Sequence, residues 1–199
     1  MFTWKKKEMD RKENKKEEKM TKKEWMRFIL LLVIVYISAG YVVPTFAADK
    51  AIVDGKSMEM NYYDGDSVIA DKLVYKMTGL DRFDVILLYP YGRVTDDTPI
   101  GFVQREFMGV EEECYIKRVI GLPGETVQIV GSDILINGEV LEETYGKDPI
   151  SRAGVASEPI TLEENEYFVL GDNRTVSEDS RTFGPVSGEN ICGKVIFRY

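Results

Sequence analysis

From residue 49 onward the chain breaks into short apolar runs divided by Gly, Asp, Asn and Pro. Residues 67–70, 84–89, 115–120, 126–130, 134–136, 166–170 and 194–199 are of strand length and rich in β-branched and aromatic side chains. Turn signals separate them: Asp64-Gly65-Asp66, Leu122-Pro123-Gly124, and Asn137-Gly138, which favours a tight hairpin. No stretch of this body sustains a helical period, although 72–80 has room for a turn or two of helix. The pattern predicts an all-β body without internal repeats. Two polar intervals interrupt it: 91–113, read as an irregular hairpin, and 142–164, read as a surface excursion.

The run before this body is of another kind. Residues 28–48 carry no charge, and as a helix they would extend about 31 Å, enough to cross a bilayer core. Residues 1–27 hold eleven Lys and Arg against six Asp and Glu, so the net charge of −8 divides into +5 before the run and −13 after it. A basic head and an acidic body put the N-terminus in the cytoplasm and the body outside. Thr45-Phe46-Ala47 resembles the small-x-small site of a cleavable signal peptide. The long basic head, and the lack of a later apolar segment to hold the product at the membrane, favour an uncleaved anchor. The expected division is a cytoplasmic tail over 1–27 that touches anionic headgroups, a transmembrane anchor over 28–48, and an extracytoplasmic β-rich domain over 49–199.

Composition narrows the chemistry. An acidic body offers no basic stripe for phosphates, which excludes nucleic-acid binding. There is no histidine and only two cysteines, Cys114 and Cys192, which excludes a zinc site of four thiolates and any that uses histidine, and no metal or cofactor is expected. The cysteines either pair or stay as buried thiols, and sequence alone does not bring their Cα atoms within bonding range. Any acid–base work falls to Lys, Asp, Glu or Tyr. Lys117 stands out, an amine in the middle of the apolar run 115–120. Alternation puts it on one face with Tyr115 and Val119 and turns Arg118 the other way. Either its stem packs while the amine snorkels to water, or burial lowers its pKa and makes it a general base.

A base of this kind needs a nucleophile, and Asp54-Gly55-Lys56-Ser57-Met58 supplies one nine residues past the apolar run. Glycine just before a serine lets backbone approach closely and exposes N–H groups. A third segment, Gly171-Asp172-Asn173-Arg174 through Gly184-Pro185, is polar although it follows the apolar strand 166–170. It reads either as a turn capped by ion pairs or as a hydrogen-bonded cluster that props up a site.

Taken together, these segments resemble the signature boxes of type I signal peptidases, membrane-anchored serine proteases with a Ser–Lys dyad. Gly55-x-Ser57-Met58 with Gly65-Asp66-x-Val68 is similar to the nucleophile box, and Phe83-Asp84-Val85-Ile86 with Pro90 to the next. Lys117-Arg118-Val119-Ile120-Gly121-Leu122-Pro123-Gly124-Glu125 resembles the base box, with Glu125 where Asp is usual. Gly171-Asp172-Asn173-Arg174, Ser177-x-Asp179-Ser180-Arg181 and Phe183-Gly184-Pro185 resemble the last box, and the order along the chain agrees. The resemblance implies an antiparallel β-sheet catalytic domain that removes signal peptides from exported preproteins after small residues. It makes Ser57 the nucleophile, Lys117 the base, and Ser177 a partner that hydrogen-bonds the lysine. Arg118 with Asp172 and Asp179 with Arg181 become scaffold ion pairs, and Met58 and Met60 flank the substrate groove. The expected partners are preproteins and the lipid bilayer.

The chain also departs from the pattern. Gly55 stands where some members have an oxyanion serine, Met60-Asn61 replaces Pro-Thr, and Thr175-Val176 replaces Asp-Asn. These changes point to a narrowed or shifted substrate range, with a generalist as the other option. Two rival readings are a non-catalytic membrane-anchored relative acting as an assembly factor or chaperone, and a self-cleaving regulator of the Ser–Lys class. Retention of Ser57 and Lys117 speaks against the first. The anchor and the lack of a DNA-binding domain speak against the second.

Overall fold

The computed structural model describes residues 21–37, 48–92 and 114–199, and the chain divides into two compact units, Met1–Val43 and Pro44–Tyr199. In the first unit, helix α1 (Lys22–Ile37) begins at a capping box. The Glu24 backbone donates to Thr21 Oγ1 (3.3 Å), and the Thr21 backbone donates to the Glu24 carboxylate (2.7 Å). From Phe28 onward its side chains are apolar and exposed all round. Among the described residues no helix is long and apolar enough to cross a membrane. Of the span predicted as an anchor, α1 covers 28–37; 38–47 lies outside the described residues, as do 1–20 of the basic tail.

The second unit is antiparallel β throughout its described pairings. Its strands are β1 (Ala48–Ile52), β2 (Ser67–Asp71), β3 (Val85–Leu88), β4 (Tyr115–Gly121), β5 (Thr126–Val130) and β6 (Asp133–Ile136). β7 (Glu139–Val140), β8 (Ile160–Thr161), β9 (Glu166–Leu170), β10 (Val186–Ser187) and β11 (Ile191–Arg198) complete it. Seven strands form one sheet in the order β1-β2-β11-β3-β4-β9-β10, and four form a second in the order β7-β6-β5-β8. Asn137 and Gly138 both take positive φ (53° and 86°), the backbone a two-residue hairpin needs between β6 and β7.

β4 joins the two sheets, and apolar clusters cover both of its faces. Val119 packs with Ile86, Leu88 and Val169, whereas Ile116 packs with Val53, Met58, Val85 and Leu87. At its end Gly121 leaves no room for a side chain: a Cβ there would come within 2.6 Å of Val127 and 2.8 Å of Leu162. This close approach lets the chain turn into the second sheet, whose core holds Ile129, Ile134 and Phe168. The turn after it is tied by Glu125, which accepts from the Leu122 backbone (2.8 Å) and pairs with Arg82 (2.5 Å).

Several elements differ from the sequence reading. Ala48, expected to close the anchor, instead opens β1, an edge strand whose pattern is masked by Asp49-Lys50. Charged residues on an edge blunt further pairing, and they also hide the strand from a periodicity search. The interval 142–164 is no free excursion, because it contains a 3₁₀ turn (Gly154–Ser157) and β8. Of the interval 91–113, residues 93–113 lie outside the described residues. The Cys114 and Cys192 sulfurs stand 3.6 Å apart without a disulfide, and Cys114 is exposed rather than buried.

Candidate active site

Register places Lys117 opposite Ile86 in the middle of the large sheet, with only 3% of its surface exposed. Its Nζ lies 2.9 Å from Ser57 Oγ and 2.9 Å from the Ile116 carbonyl oxygen, and 4.9 Å from the centre of the Tyr115 ring. Burial strips water from the amine and lowers its pKa from 10.5 to about 8, against the opposing pull of Asp179 and Glu178. Of the two readings of this lysine, the buried one holds: the amine does not snorkel.

Ser57 arrives by a loop that is held on both sides. Val53 and Gly65 pin its neck (Val53 N to Asp66 O and Gly65 N to Val53 O, each 2.8 Å), and Gly55, at φ +88°, donates to Asp64 Oδ1 at 2.9 Å. Past the serine, Met58 is wholly buried against Val53, Val68, Leu87 and Ile116. Met58 is thus a core anchor for the loop and not a wall of the groove. Met60 is exposed and packs toward Gly146, and neither methionine lines the cleft in front of the serine. That cleft has a volume of about 480 Å³ and is lined by Ala51, Val53, Ser57, Ile116, Lys117 and Val176 among others.

The last box folds directly onto the serine. Asn173 N donates to the Ser57 carbonyl (3.0 Å). Gly171 passes so close that a Cβ would lie 2.4 Å from that carbonyl oxygen and 2.2 Å from Ser177 Oγ. Asp172, fully buried, receives Arg118 through two bonds (2.8 and 2.6 Å), while Arg118 also donates to the Phe83 carbonyl (2.8 Å). Asp179 receives Arg181 through two bonds of 2.8 Å, accepts from the Gly171 backbone, and caps the short helix α2 (Ser180–Phe183). Arg118 and Lys117 do point to different partners, as alternation requires. Ser177 behaves otherwise than expected. It is buried beside Gly171, but its Oγ has no hydrogen-bond partner among the described residues and does not reach the Lys117 amine.

Some of the scaffold was invisible in the sequence. Tyr145 lays its ring 4.1 Å from the Arg118 guanidinium carbon, and its hydroxyl bonds Glu143. Glu143 in turn pairs with buried Arg174, which donates to the Gly171 carbonyl (2.8 Å). Asn61 donates from its side chain to Gly146 O (2.6 Å) and Asp172 Oδ2 (2.8 Å). The Glu143–Arg174, Asn61–Gly146 and Asn61–Asp172 partners lie 31, 85 and 111 residues apart, and no local spacing encodes such contacts.

What this arrangement can do chemically is bring a hydroxyl and a desolvated amine together at the floor of an open cleft. Comparison with known proteins agrees. The profile of the family described as signal peptidase, peptidase S26, matches residues 22–199. Signal peptidase I of Leptolyngbya laminosa is 35% identical over 155 residues, covering 78% of this chain and 70% of the relative. A probable signal peptidase I-2 of Synechocystis is 29% identical over 190 residues, covering 95% and 79%. Signal peptidase IB of Staphylococcus aureus is 28% identical over 195 residues, covering 89% and 91%. A crystal structure of a signal peptidase I from Enterococcus faecalis V583 is 28% identical and covers 59% of this chain and 97% of its own, with a TM-score of 0.40. The chain belongs to the signal peptidase family, peptidase S26, and within it to the type I signal peptidases, which are serine endopeptidases.

Proposed function

We propose that Ser57 is the nucleophile and Lys117 the general base of an endopeptidase that removes signal peptides from exported preproteins after small residues. The observation that carries this reading is the 2.9 Å contact between Ser57 Oγ and the desolvated Lys117 amine, in a chain without histidine. A substrate enters the cleft as an extended strand beside β1 and the start of β4, where β9 pairs only from Arg118 onward. Neutral Lys117 takes the Ser57 proton as Oγ attacks the scissile carbonyl. The backbone N–H of Ser57 faces the developing oxyanion, with Gly55 contributing no side-chain donor. Protonated Lys117 then gives its proton to the leaving amine. In the second half it draws a proton from the water that hydrolyses the acyl-enzyme. Arg118–Asp172 and Asp179–Arg181 hold the framework and take no part in the chemistry. Ser177, buried beside Gly171, packs against the segment that meets the Ser57 carbonyl.

The same reading makes the apolar run from Phe28 up to the start of β1 a membrane anchor, with the N-terminus in the cytoplasm and the catalytic domain outside. It is supported by the charge asymmetry and by the exposed apolar surface of α1. Incubating the purified full chain with a preprotein and sequencing the new N-terminus tests the activity. Cleavage after a small-x-small motif is expected, and an intact preprotein contradicts the reading. Protease added to cells stripped of their wall tests the topology: it should digest the body and spare the basic tail.

A further inference from the structure

The turn that follows Ser57 is held in an unusual way. Glu59 N to Lys56 O (3.2 Å), Asn61 N to Met58 O (3.2 Å) and Tyr62 N to Met58 O (2.8 Å) close it. Met60, at its corner, adopts φ +86°, a left-handed conformation that non-glycine residues rarely take. Such backbone persists where the surroundings over-determine it. Asn61 supplies that constraint. Its side-chain amide donates both to Gly146 O and to Asp172 Oδ2, and its backbone carbonyl accepts from Arg198. A carbonyl and an ionised carboxylate can only accept, so the chemistry of the partners fixes which way the amide faces.

The bonds form a closed circuit around the serine. Asn61 holds Asp172, and the next residue, Asn173, donates to the Ser57 carbonyl at 3.0 Å. The turn from Ser57 to Asn61 is thus clasped at both ends by the pair 172–173. Asp172 is also gripped by Arg118, the strand neighbour of Lys117. One carboxylate therefore references the nucleophile's loop and the base's strand to each other. A threonine at 61 has a single hydroxyl proton to donate and could serve only one of the two acceptors.

We propose that Asn61 is a positioning residue that sets Ser57 Oγ against Lys117 Nζ through Asp172, in place of the fixed φ that a proline at 60 would supply. The proposal rests on the Ser57–Lys117 reading of the site. A misplacement of about 1 Å far from the chemistry can cost about a hundredfold in rate. Asn61→Ala in the full chain should therefore lower kcat roughly ten- to a hundredfold while KM stays within about threefold. Asn61→Asp keeps the shape but loses both donors and puts a second carboxylate beside Asp172, so it should fall at least as far. Asn61→Thr should lie between these and the parent, and it remains informative if the other two fold poorly. The rising limb of the pH profile should keep its midpoint in Asn61→Ala and Asn61→Thr, which add no charge and leave the burial of Lys117 untouched. Parental kcat, a loss confined to KM, or a displaced limb in Asn61→Ala would each overturn the proposal. Failure of the unmutated chain to cleave would instead remove the dyad reading beneath it.

Discussion

Replacing Gly171 by alanine is the smallest change that reaches the dyad without touching it. The added Cβ would lie 2.2 Å from Ser177 Oγ, 2.5 Å from Ser177 Cβ and 2.4 Å from the Ser57 carbonyl oxygen. Relief to ordinary contact needs about 1 Å of movement. The Ser177 Oγ can yield by rotation, although the Ser177 Cβ moves only with its backbone. The Ser57 carbonyl cannot, because it is backbone and is fastened to Asn173 at 3.0 Å. Overpacking of this kind costs about 1–3 kcal/mol of stability, and shifting the nucleophile by about 1 Å costs about a hundredfold in kcat. Cleavage of a preprotein by the detergent-solubilised full chain, read beside its thermal unfolding, measures both. The double variant Gly171→Ala/Ser177→Gly, which removes both the Oγ and the Cβ at 177, separates the two clashes. It should regain stability but little activity, since the contact with the Ser57 carbonyl remains. Parental kcat in Gly171→Ala, or full recovery of activity in the double variant, would refute the claim that Gly171 seats the nucleophile.

Four further outcomes follow from the site. Activity should rise with pH through about 8 and level off above it, the neutral amine being the working form; a limb centred near 10.5 would show that Lys117 is not desolvated. Stability carries the opposite side of the same shift. The folded pKa lies below the unfolded one, so the unfolded chain binds more protons between about 8 and 10.5 and stability climbs across that window. Lys117→Met should therefore be more stable than the parent at pH 7 by up to about 3 kcal/mol, with the gain shrinking toward pH 10.5 in denaturant titrations. Met60→Pro, which the sequence alone would offer as a stiffening change, should instead destabilise by more than about 1 kcal/mol and lower cleavage of every substrate, because proline cannot adopt φ +86°. Met60→Gly should gain about 1 kcal/mol in chemical unfolding by relieving the left-handed strain.

The strands that carry the site were legible because their two faces meet different clusters and their turns use distinctive residues. β4 was read over 115–120 and β9 over 166–170, each within a residue of its observed span. β1 escaped because its edge position favours the charged pair Asp49-Lys50. The strands β7, β8 and β10 escaped because two residues carry no period. Within the site, Ser57 and Lys117 were readable from box order, whereas the geometry around them was not. Met58 looked like a groove residue but serves the core, and Ser177 sits beside Gly171 without bonding the lysine. The clasp of Asn61, Glu143 and Tyr145 on the framework is tertiary. It joins an interval read as a surface excursion to residues 29 to 85 positions away, and nothing in local composition announces it.

The central claim is that Ser57 and Lys117 act as one unit, and a double-variant rate comparison tests it most directly. Cleavage of one preprotein is timed for the parent, Ser57→Ala, Lys117→Ala and the two combined, with unfolding curves confirming that each is folded. Residues of a single catalytic unit are strongly non-additive, so each single change should abolish nearly all the activity and the double should lose little more. Independent, multiplying losses, or substantial cleavage by either single variant, would contradict the account.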